Sequence, residues 1–170
     1  MLRGVNVGGK GQVPMARLRA VFESLGHTDV ATYIQSGNVV FTSAETITSA
    51  APIEARLAQD FGLKTAVLLR APAEMDAVIE QNPYPDAEAG PSTLHVTFLA
   101  EPPARTALAG VDAPSFAPEE FTVRRREVYL HLPNGIGRSR LATLLARKLG
   151  SEATTRNWNT VKKLAAMSRG

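Results

Sequence analysis

The sequence predicts an α+β protein built as a tandem duplication of a ferredoxin-like βαββαβ plait. Three observations carry this. The order strand–helix–strand–strand–helix–strand reads twice along the 170 residues. A proline- and glycine-rich stretch separates the two readings. The composition, 44% hydrophobic and 21% charged, is that of a globular chain with enough apolar material for a core.

The first reading begins with a short strand over Leu2–Asn6, then a glycine-rich loop over Val7–Val13. Pro14 suits the first turn of a helix. Leu18, Val21, Phe22 and Leu25 follow at helical spacing, and Gly26 is a stop. Val30–Gln35 and Asn38–Thr42 read as strands joined by a tight turn at Ser36-Gly37. Pro52–Phe61 is a helix with Ile53, Leu57 and Phe61 on one stripe, and Thr65–Arg70 is the fourth strand. Pro72–Gln81 reads as a linking helix.

Asn82-Pro83-Tyr84-Pro85 and Gly90-Pro91-Ser92 bracket the expected boundary, giving domains at 1–82 and 92–170. The second reading starts with a strand over Leu94–Ala100 and a short helix after Pro102. Strands over Phe121–Arg125 and Glu127–Leu132 follow. A helix over Arg138–Leu149 turns Leu141, Leu144, Leu145 and Leu149 inward. A short extended piece at Ala153–Thr155 leads into a last helix holding Val161, Leu164 and Ala165. The expected result is two four-stranded antiparallel sheets, each with helices on one face.

Charge and composition narrow the function classes. The net charge is +3, split as −1 over residues 1–85 and +4 over 86–170. The basic excess of the second half suits an anionic partner, or is a solvated face. The chain has no cysteine, which removes disulfides, thiolate metal sites and cysteine nucleophiles. No apolar run of about 18 residues suggests a membrane span, and the first residues lack the apolar stretch of a signal peptide. A cytoplasmic location is expected.

Three segments are rich in hydrogen-bond donors. Gly4-Val5-Asn6-Val7-Gly8-Gly9-Lys10-Gly11 approaches a nucleotide P-loop, but Gly11 stands where that loop needs Ser or Thr. Two readings remain: an anion nest in which Arg3, Asn6 and Lys10 add donors to the Gly8-Gly9 backbone, or a turn needing positive φ. Tyr33-Ile34-Gln35-Ser36-Gly37-Asn38 puts polar groups at a strand–strand turn, with Tyr33 and Gln35 expected on one face. Its strands lack the aromatic pattern of an RNA-recognition plait. In Thr154–Thr160, Asn157 or Asn159 is a natural N-cap, Arg156 offers a fork to phosphate, and Trp158 stacks on a ligand or fills the core.

These stretches resemble one bacterial family. Leu2-Arg3-Gly4-Val5-Asn6-Val7-Gly8-Gly9-Lys10, Val13-Pro14-Met15, Tyr33-Ile34-Gln35-Ser36-Gly37-Asn38 and Thr155-Arg156-Asn157-Trp158-Asn159-Thr160-Val161 are similar to the family named domain of unknown function 1697. The resemblance implies a tandem α/β plait. It implies no activity and supplies no catalytic residue.

Nothing in the sequence names a catalytic group, a metal site or a cofactor. His95 and His131 are expected on neighbouring strands on one sheet face, with no third ligand at metal spacing. Glu127, Tyr129 and His131 share a face, which alone does not make an acid–base pair. The expected function is binding of a phosphate-bearing ligand, such as a nucleotide or nucleic acid. Its expected contacts are Arg3, Asn6, Gly8, Gly9, Lys10, Tyr33, Gln35, Asn38, Arg156, Asn157 and Trp158. Alternatives are an enzyme on a small anionic metabolite in a cleft between the halves, and a protein-interaction module. The glycine loop and Arg156–Trp158 are further expected to wall one site if the halves pack with those ends together.

Overall fold

The computed structural model describes residues 1–6, 12–90, 92–104, 106–150 and 152–170. It is a mixed α/β structure with two antiparallel sheets and five α-helices among the described residues. The chain divides into two units, one of Met1–Leu69 with Met167–Gly170, the other of Arg70–Ala166. None of the described helices is long and apolar enough to cross a membrane.

In the first unit, helix α1 (Met15–Ser24) starts after Pro14 and buries Leu18, Val21 and Phe22, the stripe set by the 3.6-residue period. Strands β1 (Thr28–Tyr33) and β2 (Asn38–Thr42) form an antiparallel hairpin in which Tyr33 faces Asn38. Helix α2 (Ala51–Phe61) carries proline in its first turn and ends at Gly62 in the left-handed region (φ 63°). Ile53 and Leu57 of α2 join Leu2, Val5, Val13, Leu18 and Phe22 in one core.

The expected four-stranded sheet of this half takes a different form among the described residues. The sheet is the β1–β2 pair, and Leu2 makes a single antiparallel bridge to Val67. Extension fails past Leu2 because Gly4 (φ 63°) and Asn6 (φ 57°) turn the backbone into the left-handed region. Two residues there within three positions cannot continue a ladder.

The second unit opens with helix α3 (Pro72–Glu80), whose first turn is closed by the Glu74 carboxylate accepting the Ala71 N–H at 2.8 Å. Strands β3 (Leu94–Leu99), β4 (Glu120–Arg124), β5 (Glu127–His131) and β6 (Ala153–Asn157) form an antiparallel sheet in the order β4-β5-β3-β6. Helix α4 (Arg140–Leu149) lies between β5 and β6, with Ser139 as its N-cap. Leu141 and Leu145 of α4 pack with Leu99, Val128, Leu130 and Ala153. Strand β3 is buried along its whole length, as a central strand covered on both faces must be. Helix α5 (Trp158–Ser168) follows β6 directly, and Asn157 caps it by accepting the Thr160 N–H at 2.9 Å.

The helix expected after Pro102 is absent from the described residues. Turns occupy 106–110 and a 3₁₀ turn spans Ala113–Phe116. Pro102, Pro103, Pro114 and Pro118 remove amide donors across this stretch, and Gly110 (φ 75°) reverses the chain between them.

Candidate functional site

The first two donor-rich segments meet in the first unit, and Gly37 is where they touch. Gly37 has φ 74°, and a Cβ there would sit 2.9 Å from the Leu2 Cβ and 3.2 Å from the Val5 Cβ. Only glycine allows this approach in this conformation. The Gly37 carbonyl accepts the Leu2 N–H at 2.8 Å. Asn38 is fully buried and closes the turn from inside, its Nδ2 donating to the Ser36 hydroxyl (2.9 Å) and the Tyr33 carbonyl (3.2 Å).

Asn6 is the second fastening. Its Nδ2 donates to the carbonyls of Gln35 (2.8 Å) and Val13 (3.1 Å), and its Oδ1 accepts the Val13 N–H (2.8 Å). The amide therefore uses both donors and its acceptor. Asparagine also tolerates φ 57° better than most residues. One side chain thus binds the start of the chain, the entry to α1 and the Tyr33–Asn38 turn to each other.

Around this junction lies an open cleft of about 350 Å³, lined by Asn6, Gln12, Val13, Pro14 and Gln35. Its volume falls within the range of small-molecule sites. The Gln12 and Gln35 side chains are exposed and make no hydrogen bond to the described residues. Among the described residues, no acidic side chain lines the cleft. The first 22 residues carry Arg3, Lys10, Arg17 and Arg19 and no Asp or Glu. Pro14 at the rim is the cap residue of α1, whose first turn has neither an acidic residue nor a side-chain cap.

Of the expected site residues, the structure brings together Asn6, Tyr33, Gln35 and Asn38. Gly8, Gly9 and Lys10, with the glycine-loop backbone expectation, lie outside the described residues. Arg3 is exposed, and its carbonyl accepts the Thr65 hydroxyl at 2.6 Å. Tyr33 and Gln35 do not share a strand face. Strand β1 ends at Tyr33, and Ile34 takes φ 50°, so the alternation stops before Gln35.

Arg156, Asn157 and Trp158 belong to the second unit. Arg156 is 8% exposed, and its Nη1 donates to the Thr154 hydroxyl (2.7 Å) and the Thr155 carbonyl (2.8 Å). Burial lowers its guanidinium pKa to about 10, still charged at neutral pH. Trp158 is fully buried, and its indole N–H has no partner among the described residues.

The two strand histidines face opposite ways, contrary to expectation. His95 stands opposite Leu130 and His131 opposite Leu94, so neighbouring positions of β3 send them to different faces of the sheet. His95 is buried, its Nδ1 has no partner among the described residues, and desolvation lowers its pKa. Tyr129 donates its hydroxyl to the Val78 carbonyl at 2.8 Å, and burial raises its pKa further from neutrality. That hydroxyl is engaged with the backbone rather than with His131. Among the described residues, no group of three His, Asp or Glu side chains is arranged to hold a metal.

An ionic network in the second unit escaped the sequence reading. Arg70, with a side chain only 2% exposed, pairs with Glu127 at 2.9 Å and donates to the Leu99 carbonyl at 2.6 Å. Its guanidinium lies over the Phe98 ring, and burial lowers its pKa. Arg126 pairs with Glu74 and donates to the Ala100 carbonyl at 3.2 Å. The only hint in the sequence was Glu127 within an apolar strand, a charge that must find a partner when buried.

A family model described as "Protein of unknown function (DUF1697)" matches residues 1–129. Among solved structures, the chain is similar to a conserved bacterial protein from Streptococcus pneumoniae. The identity is 22% and the TM-score 0.75, over 99% of this chain and 96% of that one. At that identity the likeness speaks for the fold alone. No curated protein matches.

Proposed function

This chain belongs to the family of proteins of unknown function DUF1697, and on that premise we propose that it is a binding module for a phosphate-bearing ligand held in the cleft beside Asn6 and Gln35. The observation that carries the reading is the junction itself. Two of the segments that mark the family resemblance are fastened by one fully bonded asparagine in the lining of an open cleft. A turn that only reversed the chain would not need this second fastening. An anion is supported by the absence of acidic side chains from the described lining, by the four basic and no acidic side chains of residues 1–22, and by the uncapped start of α1 at the rim. The test is a thermal-shift and calorimetric titration with inorganic pyrophosphate and nucleoside phosphates. Binding should raise Tm, and Gln12→Glu, which puts a negative charge on the rim at an exposed position, should abolish the shift without lowering the Tm of the free protein. If no phosphate compound binds, or if Gln12→Glu binds as well as the parent, the reading fails.

A nucleic-acid reading has its own support in the second unit. Arg138, Arg140 and Arg147 are exposed on and before α4, and residues 136–149 contain no acidic side chain. Such a face suits a phosphate backbone. Replacing Arg138, Arg140 and Arg147 with Ala should weaken single- or double-strand binding uniformly and flatten its salt dependence. No binding at low salt would remove this reading.

We infer also that each half is a split βαβ plait. Support comes from the antiparallel order β4-β5-β3-β6 with α4 between β5 and β6, and from the Leu2–Val67 bridge beside the β1–β2 hairpin. The cysteine-free composition supports a cytoplasmic location.

A further inference from the structure

We propose that Ile34 is a ligand-contact residue held out by a strained backbone, and that the ligand of the neighbouring cleft is therefore a nucleoside phosphate, a phosphate ester carrying a flat ring. The proposal rests on the phosphate-cleft reading above and adds the identity of the organic part. Ile34 combines two unfavourable features. It is a β-branched residue at φ 50°, where its Cβ crowds the backbone. It is also 51% exposed, the larger of two exposed large apolar side chains among the described residues. A single exposed isoleucine needs no explanation. One kept in the left-handed region does, because Asn or Gly would fit that turn with less strain and better solvation. Strain of this kind collects at binding sites, where the surroundings hold a side chain in place for a partner.

The cleft chemistry specifies the rest of the ligand. Gln35, next to Ile34, lines the cleft together with Gln12, and neither side-chain amide is used by the described residues. A carboxamide offers donors and an acceptor together. A bare phosphate presents mostly acceptor oxygens and matches the amide N–H groups better than the amide oxygens. A nucleobase edge presents donors and acceptors side by side and pairs with Gln or Asn. Its flat face would cover the aliphatic surface of Ile34. The shared chemistry fits a free nucleotide or a nucleotide within a strand.

The experiment measures Tm and affinity for Ile34→Gly, Ile34→Asn and Ile34→Val. The probes are inorganic pyrophosphate, ADP and a short single-stranded oligonucleotide. Gly and Asn relieve the backbone, so both variants should melt above the parent. Both should bind ADP or the strand about tenfold or more weaker, the scale of a lost apolar contact between an aliphatic side chain and a ring. Pyrophosphate affinity should stay unchanged, and Ile34→Val should behave as the parent. Preference for ADP or for the strand identifies the source, and either supports the proposal. If the Gly and Asn variants melt lower, Ile34 is a packing residue and the proposal is overturned. It is overturned too if pyrophosphate binds but ADP binds no tighter, or if the variants weaken both equally; the phosphate cleft then stands. If neither pyrophosphate nor ADP binds, both readings fall.

Discussion

Asn6 is the position at which the account is most exposed to experiment. Its side chain makes three hydrogen bonds, each worth about 0.5–1.5 kcal/mol net in a folded protein. Asn6 is only half-buried and Gln35 is exposed, so the lower half of that range applies, about 2 kcal/mol for the set. The left-handed backbone at φ 57° adds a separate cost of about 1 kcal/mol for an ordinary residue, and none for glycine. Asn6→Gly should therefore lose about 2 kcal/mol and Asn6→Ala about 3. The difference isolates the backbone contribution. Asn6→Asp tests the polarity of the bonds. It keeps the shape and the acceptor for the Val13 N–H, but sets a carboxylate against the Gln35 and Val13 carbonyls. It should be at least as destabilising as Asn6→Gly at neutral pH. Its carboxyl pKa should be raised, so the deficit should shrink as pH falls and the group becomes a donor. Urea denaturation followed by far-ultraviolet circular dichroism is the assay. Fluorescence of the single tryptophan is unsuitable alone, because Trp158 belongs to the other unit. An Asn6→Asp protein as stable as the parent at pH 7 would refute the reasoning, since the two donor bonds would then hold nothing.

In the second unit, Glu127→Ala should cost about 3–5 kcal/mol by leaving the buried Arg70 guanidinium without its carboxylate, whereas Arg70→Met with Glu127→Leu should recover most of the loss; chemical denaturation of the parent and the two variants checks this. Burial lowers the pKa of His95 below the ordinary value, so the unfolded chain takes up its proton first as pH falls. The stability contribution of neutral His95 is complete above about pH 6.5 and declines below it, by at most about 1.4 kcal/mol per pH unit. Stability measured from pH 7 to pH 5 should fall more steeply in the parent than in His95→Phe, and equal slopes would contradict the assignment.

How far the sequence revealed this structure depends on how local each cause is. Helices α1, α2 and α4 were legible because their apolar stripes and proline or glycine boundaries are local features. Asn157 was legible as a cap for the same reason. The helix expected after Pro102 failed where four prolines outweighed the apolar content of the segment. The faces of His95 and His131 depend on strand register, which a shift of one residue reverses. Asn6 and Gln35 were picked out separately, but 29 positions separate them and nothing local announces that one side chain fastens the other's backbone. Ile34 was passed over because its interest lies in a backbone angle, and an isoleucine between Tyr33 and Gln35 reads as one more strand residue. Arg70, buried against Glu127, was read as the end of a strand.

Whether the Asn6–Gln35 cleft receives a phosphate-bearing ligand is tested most directly by backbone amide chemical shifts during titration with ADP. The account predicts saturable shifts concentrated at Asn6, Gln12, Val13, Ile34 and Gln35, with the β3–β5 ladder unmoved, and loss of those shifts in Gln12→Glu. Saturable binding whose shifts fall elsewhere, with these five residues unchanged, would contradict it.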